Sequence, residues 1–136
     1  MNGDGADDVF LVHDGRYLVS HNGTSAWQVY GTGGSASGPG VKLGDLDGDG
    51  KADIFWASGD GTWRMSSGGR AGWKVLRTGV TGVTTQQLQL ADFDGDGKDD
   101  VFHARSDGRW LVSYGGTSAW VTLATRSEAG SQVRVR

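Results

Sequence analysis

"DFDGDGKDDVF", residues 92–102, spaces five aspartates among glycines and then turns apolar. "DLDGDGKADIF" at 45–55 repeats it closely, and "NGDGADDVF" at 2–10 is a shortened third copy. Aligned on the apolar pair that closes each knot, Phe10, Phe55 and Phe102 coincide, 45 and 47 residues apart. The remainder of each unit then falls into step. A D-G with an aromatic comes next ("HDGRY" 13–17, "GDGTW" 59–63, "SDGRW" 106–110). A Gly turn and a tryptophan follow: "HNGTSAW" ending at Trp27, "GGRAGW" at Trp73, "GGTSAW" at Trp120. Alternating stretches lead into the next knot, "VKL" at 41–43 and "LQL" at 88–90, and a third, "VRV", lies at 133–135.

Each unit therefore holds four short strand candidates, in the third roughly Leu88 to Phe93, Val101 to Arg105, Trp110 to Tyr114 and Trp120 to Thr125. Apolar–polar alternation between Gly-rich turns is the half-buried strand signal, and D-G between two such runs marks a hairpin whose central residues both take positive φ. No stretch carries a helical stripe. Four strands per repeat of this length predict an all-β protein of β-propeller blades, three per chain, at approximately 1–43, 44–90 and 91–136 in one 1–136 unit. A β-sandwich uses the same hairpins but gives no reason for three similar units.

Composition narrows the function. The 25 glycines follow no collagen period, and six Trp, four Phe and three Tyr supply the apolar mass that disordered chains lack. A net charge of −3 argues against nucleic acid as a partner. Without cysteine there are neither disulfides nor thiolate metal sites. No apolar run approaches the roughly 18–20 residues of a membrane span, so membrane insertion is not expected, and no signal peptide is evident.

In the complete knots Asp45, Asp47, Asp49 and Asp53, and Asp92, Asp94, Asp96 and Asp100, take places 1, 3, 5 and 9 of a nine-residue loop. Carboxylates this crowded repel one another unless a cation neutralises them. Ca²⁺, with six to eight oxygen ligands and loose geometry, fits better than Mg²⁺. Gly48, Gly50, Gly95 and Gly97 let the chain curl; at place 7 Lys51 and Lys98 offer a backbone carbonyl while their side chains point to solvent. An EF-hand is excluded because place 12 is Trp56 or His103 instead of Glu, and the flanks are strands. The plain alternative is a solvated acidic turn.

D-x-D-x-D-G-x-x-D between strands, recurring about every 45 residues, resembles the FG-GAP/VCBS repeats of integrin α-subunit propellers and of integrin-like bacterial and fungal proteins. The phrase FG-x-x-GAP itself is absent. The resemblance implies a loop that joins the first two strands of a blade and holds a structural Ca²⁺. It also implies an extracellular parent protein.

In the first knot Asn2, Asp4, Ala6 and Asp8 take places 3, 5, 7 and 9, and place 1 would precede Met1. Two full calcium sites and one partial site per chain are expected, the partial one completed by a partner's terminal carboxylate or by water. Three blades are too few for a ring, which has typically four to eight. The expectation is a head-to-tail homodimer of six blades, with a trimer as the alternative, in which strand 133–136 completes the first blade of the partner chain.

His13, His21 and His103 fall at unrelated places in their units, and the acidic cages leave no open coordination position, so an enzyme is not expected. Carbohydrate or a glycoprotein is the expected ligand, since integrin-like propeller lectins belong to the wider resemblance. The candidates lie on the face opposite the knots: Asp14 with Tyr17, Asp60 with Trp63, and Asp107 with Trp110. An aromatic beside a carboxylate can stack on a sugar ring and accept its hydroxyls. The plainer reading makes each D-G a turn and these rings, with Trp27, Trp73 and Trp120, packing between blades. A structural or protein-interaction scaffold is the alternative function.

Overall fold

Short β-branched and aromatic runs between left-handed glycines leave the chain few options other than hairpins. The computed structural model describes residues 1–32, 40–58 and 60–125. The described residues contain eleven strands: β1 Val9–His13, β2 Arg16–Ser20, β3 Gln28–Thr32, β4 Lys42–Gly44, β5 Asp53–Ala57, β6 Trp63–Ser66, β7 Lys74–Arg77, β8 Gln89–Ala91, β9 Asp100–Ala104, β10 Arg109–Ser113 and β11 Val121–Thr125. They form three antiparallel sheets in the orders β1-β2-β3, β4-β5-β6-β7 and β8-β9-β10-β11. Among the described residues the helical turns are single 3₁₀ turns. The third-unit strands lie within a residue or two of the expected bounds, and segment 133–136 is outside the described residues.

Strand β5 shows how the sheets stack. Ile54 faces the first sheet, in a core with Tyr17, Val19, Tyr30 and Val41, while Phe55 faces the third, in a core with Leu46, Trp63, Met65, Leu88 and Val101. Alternate residues of one strand thus feed two cores, one in each seam between successive blades. The innermost strands β4 and β8 run side by side. A Cβ on Gly44 would lie 2.9 Å from Leu90 Cδ1, 3.2 Å from Leu90 Cβ and 2.7 Å from Asp99 Oδ2. Gly44→Ala is therefore expected to cost about 1–3 kcal/mol, read from a shifted urea midpoint, because the Leu90 Cβ cannot swing away.

Each blade also carries a β-bulge that the alternation does not reveal. The register steps from Tyr17↔Gly31 to Leu18↔Val29, from Trp63↔Arg77 to Arg64↔Val75, and from Trp110↔Ala124 to Leu111↔Thr122. The residue passed over is Tyr30, Leu76 or Leu123. A bulge re-aims a side chain, and here it turns Tyr30 and Leu76 into the seams.

The D-G turns are of two kinds. In β1–β2, Asp14 (φ 50°) and Gly15 (φ 70°) form the expected two-residue loop. The third hairpin is a residue longer: Gly108 donates to the Arg105 carbonyl at 3.1 Å, and positive φ falls on Gly108 (89°) and not on Asp107. Gly61 (85°) does the same in the second.

Candidate metal centres and the opposite face

The knots are first shaped by their own backbone. Asp45 at place 1 accepts N–H bonds from Gly48 (2.8 Å), Asp49 (3.1 Å) and Gly50 (2.8 Å). Asp92 accepts from Gly95 (2.8 Å) and Gly97 (2.9 Å) in the same way. Gly48, Gly50, Gly95 and Gly97 all have φ between 76° and 87°, a region closed to most side chains, so the curl depends on glycine. This brings one oxygen each of Asp45, Asp47 and Asp53, and of Asp92, Asp94 and Asp96, within 4.8 Å of one another. Asp49 and Asp100 fall outside these groupings. Clustered carboxylate oxygens, with no nitrogen or sulfur, suit a hard divalent cation.

The charges in these clusters are unevenly supported. The Ser67 hydroxyl, 2.7 Å from Asp47, is the main influence holding that carboxyl below the usual range. The Gly97 N–H does so for Asp92. Desolvation pushes Asp94 up, with the neighbouring Asp96 and Asp100 charges adding to it, and burial pushes Asp53 up.

Place 9 has a second role. Asp53, fully buried, accepts from the Leu46 N–H (2.8 Å) with one oxygen and from the Gly68 N–H (2.9 Å) with the other. Asp100 bridges Phe93 and Gly115, both at 2.8 Å. Asp8 bridges the Met1 amino group (2.5 Å) and the Asn22 N–H (3.0 Å), and the Met1 amine holds its carboxyl well below the usual range. In every blade this aspartate ties the knot to the turn between the third and fourth strands. The sequence carries the signal as an N-G or G-G pair 14 or 15 residues after place 9.

In the first knot Asn2 donates to Asp4 (3.1 Å), and Ala6 donates its N–H to Asp4 (2.9 Å). With Asp8 engaged by the Met1 amine, no three acidic side chains gather there among the described residues. The lysine side chains are exposed, as expected, but their stems do not stand free. Lys51 lies with its Cγ 3.1 Å from where a Cβ on Gly3 would sit, and Lys98 stands likewise over Gly48, so each stem lies along the preceding knot. Asp99 was unassigned. Its N–H donates to the Asp45 carbonyl at 2.6 Å and its carboxylate accepts the Asp45 N–H at 2.8 Å, clamping the third knot to the second.

On the opposite face the paired acids and aromatics separate. Asp60 is held at about 2 chiefly by the Ser58 hydroxyl, and Asp107 at about 2 chiefly by Arg109, with Arg105 3.1 Å away. Asp14 is exposed beside His13 at 3.3 Å. Tyr17 and Trp63 are buried and offer no ring face to a sugar. They begin the strand at the bulge and point into the seams, Tyr17 against Trp73 (6.1 Å) and Trp63 against Trp120 (5.3 Å). Arg77 stands over both Trp63 and Trp120. Trp110 is half-buried beside Phe102. A cleft of about 570 Å³ opens beside β9, lined by Gln86, Gln87, Gln89, His103, Arg105 and Ser106 among others. His103 Nδ1 donates toward the Gln87 carbonyl at 3.2 Å, leaving Nε2 for other partners.

A family model described as FG-GAP-like repeat matches residues 1–56 and again residues 45–103. The chain belongs to the FG-GAP-like repeat family. Each match runs from one knot through the first strand after the next, so the FG-GAP period is the same as the knot-and-blade period seen in the sheets. No curated protein and no solved structure is significantly similar to the chain.

Proposed function

We propose that this FG-GAP repeat protein is a non-catalytic, calcium-stabilised propeller-type scaffold that self-associates and binds carbohydrate. Calcium is supported by the two all-carboxylate clusters, whose crowding a divalent ion relieves. All-oxygen sites of this kind suit an extracellular setting, where calcium is plentiful. Self-association as a homodimer, or as a trimer, is supported by the exposed apolar side chains Val9, Leu11, Trp27 and Val29 on the first sheet.

The observation that carries carbohydrate binding is the cleft at β9. Primary amides both donate and accept, as a polyol requires, and Gln86 and Gln89 place two of them beside His103 and Arg105, while Gln87 Oε1 accepts the Thr84 N–H of the 3₁₀ turn. These residues replace Tyr17 and Trp63 as the ligand candidates, with Trp110 and Asp107 on the same hairpin. A glycan array in calcium is expected to give signal for a restricted glycan set, lost in Gln89→Ala and in EDTA. Calcium-dependent stability with no glycan signal would instead favour a protein-interaction scaffold, a reading supported by the apolar faces at either end of the blade stack.

A further inference from the structure

Three consecutive residues of the third knot join it to the second. The stem of Lys98, at place 7, lies over the second knot, its Cγ 3.1 Å from where a Cβ on Gly48 would sit. Asp99, at place 8, holds both backbone groups of Asp45. Its N–H donates to the Asp45 carbonyl at 2.6 Å, and its carboxylate accepts the Asp45 N–H at 2.8 Å. Asp100, at place 9, is fully buried and latches its own knot through the Phe93 N–H at 2.8 Å. The end of the third loop is therefore a wall of the second.

That wall reaches a carboxylate cluster on either side. On one side Asp45 shares a cluster with Asp47 and Asp53, and its own carboxylate accepts the Gly48, Asp49 and Gly50 N–H groups at 2.8, 3.1 and 2.8 Å. On the other side Asp96, which clusters with Asp92 and Asp94, accepts the Lys98 N–H at 2.9 Å. A run of short polar contacts and one peptide bond thus leads from Asp96 through the Lys98 backbone and Asp99 to Asp45. The first and second knots share the lysine but not the clamp: Lys51 lies over Gly3, while Ala52 stands at place 8 and carries no carboxylate.

We infer that Asp99 couples the two clusters, so that a calcium ion in the third knot raises the affinity of the second, and the reverse. This rests on the calcium reading proposed above and adds how its two sites communicate. An ion that gathers Asp92, Asp94 and Asp96 fixes the backbone at Lys98 and, next to it, Asp99. Fixing Asp99 fixes Asp45, a ligand of the second ion, so part of the ordering that the second site requires is already done. Linkage makes the effect the same in both directions. One influence opposes it, since each bound ion removes negative charge that attracts the other. That influence is screened by salt, beyond about 8 Å at physiological ionic strength, whereas the clamp acts by direct contact.

The test is calcium titration of the whole chain by calorimetry, with circular dichroism to verify folding. The unaltered chain is expected to bind two ions with a Hill coefficient above 1, the second about tenfold more tightly than the first. Asp99→Ala keeps every clustered carboxylate and repeats the alanine found at place 8 of the second knot. It is expected to bind two ions still, but independently, the second about tenfold more weakly than in the unaltered chain. A double variant, Asp94→Asn with Asp96→Asn, disables the third knot and serves even where Asp99→Ala does not fold. It is expected to keep one ion, bound about tenfold more weakly than the second ion of the unaltered chain. If that ion binds just as tightly, or if cooperativity survives Asp99→Ala, the coupling is wrong while the calcium reading stands. Independent binding of two ions by the unaltered chain has the same meaning. A chain that binds no calcium overturns both.

Discussion

Asp100→Ala is expected to destabilise the protein by about 2–3 kcal/mol, in calcium and in EDTA alike, because a fully buried carboxylate is lost and two part-buried N–H donors lose their acceptor at once. The Phe93 and Gly115 N–H groups each lie 2.8 Å from an Asp100 oxygen, and the side chain is fully buried. The loss would also unhitch the knot from the turn at Tyr114–Gly116, and that turn places Gly116 in the seam with the second blade. Urea unfolding of both proteins, with and without EDTA, measures the effect. Asp94→Asn is the control. Its carboxyl is already pushed up by desolvation and its acidic neighbours, so neutralising it in EDTA removes a repulsion and leaves stability intact or slightly raised. In calcium the same change removes a ligand from the cluster and destabilises. If Asp100→Ala were silent in EDTA, place 9 would be a metal ligand and nothing more.

That contrast also marks how far the sequence could be read. The strands and their order follow from alternation and glycine punctuation, which are local properties, and the knots carry their spacing openly. What lay beyond reach depends on which surfaces meet. Tyr17 and Trp63 stand beside D-G turns and look available to a ligand, yet they share the inward face of their strands with Val19 and Met65, and the bulges opposite them, on β3 and β7, turn Tyr30 and Leu76 into the same seams. Period-two reasoning has no means of registering an extra residue on one strand. Asp99 reads as one more acid in an acidic run. Its role appears only when the second and third knots are seen side by side, with the Asp45 backbone facing its carboxylate. The cleft glutamines were missed for a similar reason. "TTQQLQL" reads as a connector, but its 3₁₀ turn, with Thr84 and Gln87 forming a capping box, lays the amides against β9.

Withdrawing calcium is expected to have the largest effect of any change of conditions. Two carboxylate groupings, each with its oxygens within 4.8 Å, must otherwise be held together by the Gly-rich backbone and by the place-9 aspartates. A ligand at a thousand times its Kd adds about 4 kcal/mol per site to folding, which for a chain of this size shifts Tm by roughly 10 °C or more. Scanning calorimetry in millimolar calcium and in EDTA is expected to show that shift, with Mg²⁺ giving a smaller one because it surrenders its water shell reluctantly. Titration calorimetry is expected to count two ions per chain. The first knot is not expected to add a third: Asn2 stands where the others carry aspartate, and Asp8 accepts the Asn22 N–H at 3.0 Å and faces His21 at 3.4 Å. A count of three would show that the first knot binds an ion without the full aspartate set. A thermogram unchanged by EDTA would mean that backbone N–H bonds to Asp45 and Asp92 suffice to hold the knots closed.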